Sequence, residues 1–132
     1  KAMAANRADF TLTFRRLGDA AADAALDSGV RDQFLDPAAF DAWSVRWRER
    51  LARERQDGVA RRAAMHATNP IYIPRNHRVE AVLAAAIERD DYAPFEELMT
   101  VLARPFEERP EFAAYAEPPT DDRSGYKTFC GT

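Results

Sequence analysis

The sequence predicts an all-α fold, an irregular bundle of about five helices with an extended C-terminal tail. Three observations predict it. Alanine fills 26 of the 132 positions, whereas valine and isoleucine together fill 9, a balance that favours helix over sheet. Apolar residues recur at helical spacing through most of the chain. Pro37, Pro70, Pro74 and Pro105 stand at the edges of these periodic runs, where proline starts or stops a helix.

Each element follows from a local pattern. Residues 1–5 show no periodicity and are expected to form a frayed end. Phe10, Phe14, Leu17 and Ala21 make one apolar stripe, so a first helix is expected from about Ala5 to Leu26. Gly18 weakens its middle by about 1 kcal/mol relative to alanine and marks a bend or split. Ser28-Gly29 reads as the stop signal. Asp36 can cap a second helix with Pro37 at its first position. Phe40, Trp43, Trp47 and Leu51 share a face of that helix, which should run to about Arg55 before Asp57-Gly58 breaks it. A third helix is expected over Val59–Ala67 with Met65 inward, ending before Asn69-Pro70. Asn69-Pro70-Ile71-Tyr72-Ile73-Pro74 resists helix and favours an extended connection. A fourth helix follows, with Val79, Val82, Leu83, Ala86 and Ile87 inward. Asp90-Asp91 begins the next turn. A fifth helix carries Phe95, Leu98, Met99 and Leu102 and stops before Pro105. A short helical turn is expected around Glu111–Ala116. Residues 120–132 read as a flexible tail that carries Cys130.

Charge and composition narrow the function. The chain holds 19 basic and 22 acidic residues, net −3, so it is a poor general polyanion binder and no nucleic-acid partner is expected. A lone cysteine excludes an intrachain disulfide and a cysteine-based zinc site. No apolar run approaches the ~18 residues of a membrane span, and no signal peptide opens the chain, so no membrane partner and a cytoplasmic location are expected.

The familiar catalytic patterns do not emerge. His66 and His77 lack a carboxylate or cysteine at ligand spacing, so solvent or hydrogen-bonding roles are expected for them. Ser28, Ser44 and Ser124 lie outside any nucleophile elbow, and the scattered glycines build no phosphate loop. Glu96-Glu97 and Glu107-Glu108 are adjacent pairs that point to different helix faces and make no catalytic dyad. Neither a catalytic nor a metal-ligating residue is assigned.

Four features retain a choice of readings. Between Trp43 and Arg62 lie seven arginines against three acids, with Arg46, Arg50 and Arg53 on one helix face. They read either as a docking surface for an acidic partner or as a solvated face laced by Arg50–Glu54 and Arg46–Glu49 pairs. Phe40, Trp43 and Trp47 read as core before ligand box. Arg75, Asn76 and His77 open a helix, where they either hold an anion or form a hinge in which Asn76 caps and Arg75 pairs with an acid. Cys130 reads as an exchangeable thiol or as an inert terminal residue.

The run Asn69-Pro-Ile-Tyr-Ile-Pro-Arg-Asn-His77, with Glu80 following, resembles a signature late in the selenoprotein O (SelO/YdiU) family. Other pieces match in order: Phe10–Leu17; Asp36-Pro-Ala-Ala-Phe-Asp-Ala-Trp43 with Trp47; Tyr92, Phe95, Leu98, Leu102 and Arg104-Pro105-Phe106; Tyr115-Ala-Glu-Pro-Pro119; and the ending Cys130-Gly131-Thr132. Together they cover most of the chain. The resemblance implies a C-terminal region of a protein adenylyltransferase whose kinase-like domain lies outside this chain. Members bind ATP in a flipped pose and, assisted by Mg or Mn, transfer AMP to Ser, Thr or Tyr hydroxyls of protein substrates. The resemblance further implies a redox role for Cys130, paired with a cysteine of the kinase-like part. The chain alone is then expected to be inactive and to dock on that part through Arg46, Arg50, Arg53, Arg75, Asn76 and His77. The alternative is a stand-alone helical interaction module that binds an acidic partner through its arginine face.

Overall fold

The computed structural model describes residues 1–119, whose regular elements are all helical, with no strand among them. Eight α-helices occur in place of about five: α1 (Ala2–Ala5), α2 (Phe10–Ala22), α3 (Ser28–Arg31), α4 (Pro37–Leu51), α5 (Gly58–Thr68), α6 (Asn76–Arg89), α7 (Ala93–Leu102) and α8 (Ala113–Ala116). Three of these, α1, α3 and α8, are single turns of four residues, too short for periodicity to reveal. The tail from residue 120, including Cys130, lies outside the described residues.

Aspartates start three of the long helices. Asp9 accepts the Leu12 N–H at 2.8 Å, Asp36 that of Ala38 at 3.0 Å, and Asp57 that of Ala60 at 2.8 Å. Each satisfies an amide that the first turn leaves without a partner. The Asp9 cap explains why α2 begins at Phe10 and not near Ala5. The helix is continuous through Gly18 and ends at Ala22, because Asp23 turns extended and its carboxylate accepts the Ala25 N–H of a short 3-10 turn. Ser28-Gly29 does not stop a helix but opens α3. The helix from Pro37 ends at Leu51, earlier than Arg55.

The first residues are ordered by contacts. Asn6 is buried, donates to the Ala2 carbonyl and accepts the Asp36 N–H at 2.8 Å, so α1 is tied to the start of α4 instead of fraying.

Two apolar clusters hold the fold. Leu17, Ala20, Val30, Phe34 and Phe40 form the first, with Phe14, Trp47 and Met65 packed on it. Ile71, Tyr72, Val101 and Ala116 form the second, joined by Leu12, Leu102 and Phe112. Helix α2 serves both, Leu17 in one and Leu12 in the other. It packs most extensively on α5. A Cβ at Gly18 would stand 2.6 Å from His66 Cδ2 and 3.3 Å from Met65 Cβ. Glycine here permits the close approach of two helices, which is why a residue of poor helix propensity occupies the middle of α2.

The segment before α6 is extended, as its prolines require. The Ile71 and Tyr72 N–H groups both donate to the Pro105 carbonyl, at 2.8 and 3.1 Å. Helices α6 and α7 pack on one another across a turn in which Asp90 takes the left-handed conformation, φ 52°. The inward face of α6 is Val82 and Ala85; Leu83 and Ile87 are exposed, Ile87 by 82%. On α7 the buried residues are Leu98 and Val101, while Phe95 and Met99 face outward. Helix α6 is rotated from the expectation because its apolar residues encircle more than one face, which leaves periodicity ambiguous.

Candidate functional site

Arg75 does not hold an anion from solution. It is 7% exposed, and its two terminal nitrogens donate to the two Asp9 carboxylate oxygens at 2.8 and 3.0 Å. This fork joins the start of α6 to the cap of α2, so the pairing of Arg75 with an acid is present. Burial alone would raise the Asp9 carboxyl. The Arg75 hydrogen bond and charge, with the Leu12 N–H, outweigh it and hold the group below 3.8. Asn76 does not cap; Arg75 occupies the cap position without a side-chain bond, and Asn76 is the first helical residue, exposed. His77 is half-buried and makes internal contacts.

The arginine-rich stretch divides by function. Arg48 is structural: it donates to the Ala20 carbonyl and pairs with Asp27. Arg61 likewise donates to the carbonyls of Ala21, Leu51 and Gln56. Arg46 and Arg50 are exposed on α4, Arg50 lying 3.8 Å from Glu54 as expected. Arg46 makes no pair with Glu49 among the described residues, and Arg53 lies past the end of the helix. Three arginines therefore do not align on one helical face; two do, followed by an exposed third in the next turn.

A charged web lies where α2 meets α5, and sequence reading missed it. Arg15 is buried and donates to the carbonyls of His66 and Asn69 at 3.1 and 3.2 Å, closing the end of α5. Asp19 stands 2.7 Å from Arg62 Nε and 3.2 Å from His66 Nε2, and Glu108 pairs with Arg16 at 3.2 Å. The signal available was spacing: Asp19 stands four residues after Arg15 and three after Arg16 on α2, within reach of both. Burial, and after it the Arg15 charge, pushes the His66 imidazole below 6.5, with Asp19 opposing. The fold thus favours neutral His66, while the unfolded chain takes up the proton first. Stability is fully present above pH 6.5 and falls as pH drops below it. Replacing His66 by Gln is expected to flatten the fall in melting temperature as pH drops below 6.5. An unchanged slope would assign that loss to other groups.

An apolar groove of about 390 Å³ lies beside α4, lined by Phe14, Leu17, Phe40, Trp43, Trp47 and Met65 among others. Phe40 is fully buried, but Trp43 is 38% exposed, so the aromatic stripe is half core and half groove wall. The rings form a ladder, Phe40 to Trp43 at 6.0 Å and Trp43 to Trp47 stacked at 5.3 Å. Lys1, Ala2 and Met3 form another wall. Thr13 also lines the groove; the residue is 2% exposed, and its hydroxyl is buried with no hydrogen-bond partner among the described residues.

Among the described residues, no group of three or more His, Cys, Asp or Glu is placed to hold a metal ion. No described helix is long and apolar enough to cross a membrane.

The sequence model of the family described as protein adenylyltransferase SelO matches residues 1–103. A protein nucleotidyltransferase YdiU of Bradyrhizobium diazoefficiens is 63% identical over 131 residues, covering 99% of this chain and 26% of the relative. Its counterpart in Rhodopseudomonas palustris is 61% identical over 131 residues, covering 99% of this chain and 27% of the relative. One from Methylorubrum extorquens is 56% identical over 138 residues, covering 100% of this chain and 28% of the relative. The chain therefore spans about a quarter of the length of the curated relatives it matches. With a family match across residues 1–103, most of its length, the chain belongs to the SelO family of protein adenylyltransferases.

Proposed function

We propose that this chain is the C-terminal helical region of a protein adenylyltransferase, which packs on a kinase-like part, orders it and presents Cys130 to it. One observation carries the reading: the family match spans residues 1–103 while the chain amounts to 26% of its Bradyrhizobium relative. On this reading ATP and its Mg or Mn are held by the kinase-like part. The full-length protein transfers AMP from ATP to a Ser, Thr or Tyr hydroxyl of a protein: the hydroxyl oxygen bonds the α-phosphorus, the bond to the β-phosphate oxygen breaks, and pyrophosphate leaves. Its place of action is the cytoplasm.

The test is incorporation of label from ATP carrying a radioactive α-phosphate. The full-length polypeptide is expected to label protein acceptors with Mg or Mn present, and the 132-residue chain alone is expected to label none. Labelling by the chain alone would overturn the assignment. Cys130 supplies a further expectation. Oxidation of the full-length protein should link it to a cysteine of the kinase-like part, and Cys130→Ser should remove that link on non-reducing peptide mapping. A thiol that stays free under oxidant would refute the redox role.

A second reading rests on Arg46 and Arg53, exposed and without an ion-pair partner among the described residues: a helical module that docks an acidic partner. It requires binding that weakens steeply with salt.

A further inference from the structure

We propose that His66 is an acid-operated latch at the joint of α2 and α5: its neutral imidazole seats against Gly18, and the protonated ring swings out to water and loosens the end of α5. The inference concerns this chain's own fold and stands or falls apart from the enzyme assignment.

The seat is the first observation. A Cβ at Gly18 would stand 2.6 Å from His66 Cδ2 and 2.9 Å from Nε2, so the ring lies directly against the α2 backbone. Nε2 is buried and makes no hydrogen bond among the described residues. When the ring takes a proton from water, both of its nitrogens carry hydrogen and share the positive charge. In the seat, the Nε2 share meets neither water nor an aligned acceptor, the costly arrangement for a buried charge.

The second observation is the charge already present. Asp19 Oδ1 stands 3.2 Å from Nε2, but the same oxygen is 2.7 Å from Arg62 Nε, and Asp19 Oδ2 is 3.5 Å from Arg16. One carboxylate thus serves two guanidiniums. Arg15 adds another cation from α2, and Glu108 faces Arg15 and Arg16 at 3.7 and 3.2 Å. A seated imidazolium would join Arg15, Arg16 and Arg62 against Asp19 and Glu108 alone. Burial and the Arg15 charge, which already hold the imidazole below its ordinary value, act in the same direction. The side chain is 19% exposed, so an outward change of rotamer brings the charge to water.

The third observation is what the latch holds. Met65, before it, packs on the first apolar cluster, and Ile71, after it, belongs to the second. Between them the Asn69 N–H donates to the Met65 carbonyl at 2.9 Å, and Arg15 donates to the His66 and Asn69 carbonyls. Release of the ring therefore loosens the turn that links the two clusters.

The experiment follows the 132-residue chain by NMR from above pH 6.5 downward. His66 is distinguished from His77, the other histidine, with His66→Gln. The cross-peak between the His66 ring and the Gly18 Hα is expected above pH 6.5 and should vanish as the ring titrates. Amide exchange at Asn69, corrected for its intrinsic rate, should accelerate severalfold over the same range, and should not do so in His66→Gln. A cross-peak that persists in the protonated ring overturns the latch. So does equal acceleration throughout α2 and α4, which marks global unfolding. Arg62→Gln leaves Asp19 Oδ1 to the imidazolium and is expected to diminish the acid response at Asn69; an undiminished response refutes the charge competition. Gly18→Ala fills the seat, and should raise Asn69 exchange to its acid level already above pH 6.5. A response to acid that survives in Gly18→Ala overturns the inference.

Discussion

Replacing Arg75 by methionine is expected to destabilise the chain by about 3–5 kcal/mol, the cost of leaving a buried charge without its partner. Both members of the pair are sheltered, their side chains 6% and 18% exposed. Methionine preserves much of the volume, so packing is not the main loss. The residual Asp9 carboxylate still caps Leu12 but loses both bonds to the guanidinium. The double variant Arg75→Met, Asp9→Ser keeps a capping oxygen and discards the charge, and should recover more than half of the loss. Urea unfolding of the four proteins in the cycle measures the coupling. A single-variant loss under about 1 kcal/mol would show the pair to be a surface bridge in solution. Acid provides an independent check. Because the fold holds Asp9 below 3.8, its contribution is present above that value and is lost as pH falls through the lower folded pKa. That acid-limb loss should be diminished in Arg75→Met.

Tyr72→Ala is expected to cost a similar ~3–5 kcal/mol, since it empties the centre of the second cluster. Tyr72 is 1% exposed, and its hydroxyl both accepts the Arg109 N–H and donates to the Arg109 carbonyl, each at 2.9 Å. The Arg109 guanidinium lies over the same ring, 5.6 Å from its centroid. Tyr72→Phe separates the two contributions. It retains the ring, strands two backbone groups, and should cost about 1–3 kcal/mol. Amide exchange at Arg109 should accelerate in Tyr72→Phe by the matching factor. If Tyr72→Phe is neutral and the amide stays protected, water has replaced the hydroxyl.

Helix class, the Asp36-Pro37 start and the extended Asn69–Pro74 segment were legible because each rests on covalent constraints: a missing N–H, a fixed φ, a side-chain oxygen at cap distance. The single-turn helices α1, α3 and α8 were not, because tertiary contacts such as Asn6 to Asp36 hold them. The outward turn of Leu83 and Ile87 contradicts an inward assignment that apolar character alone suggested. Of the site, the pairing of Arg75 with an acid was legible as one of two readings, but its partner lies 66 residues away and no local pattern names it. The web around Asp19 and His66 escaped notice for the same reason: it is assembled by α2 meeting α5. Cys130 lies outside the described residues and keeps only the role its resemblance implies.

The double acceptance at the Pro105 carbonyl has a consequence for how this chain can change. Ile71 and Tyr72 grip Pro105, and the Tyr72 hydroxyl grips Arg109, so everything between Ile71 and Pro105 returns to its own starting point. The α6–α7 hairpin is thereby a cassette with a closed base. Residues inserted at its Asp90–Tyr92 tip would lengthen a loop whose ends are already fastened, where each doubling of length costs only about 0.6 kcal/mol. The tip can accept insertions, epitopes or new termini while the cluster around Leu17 and Phe40 keeps its register.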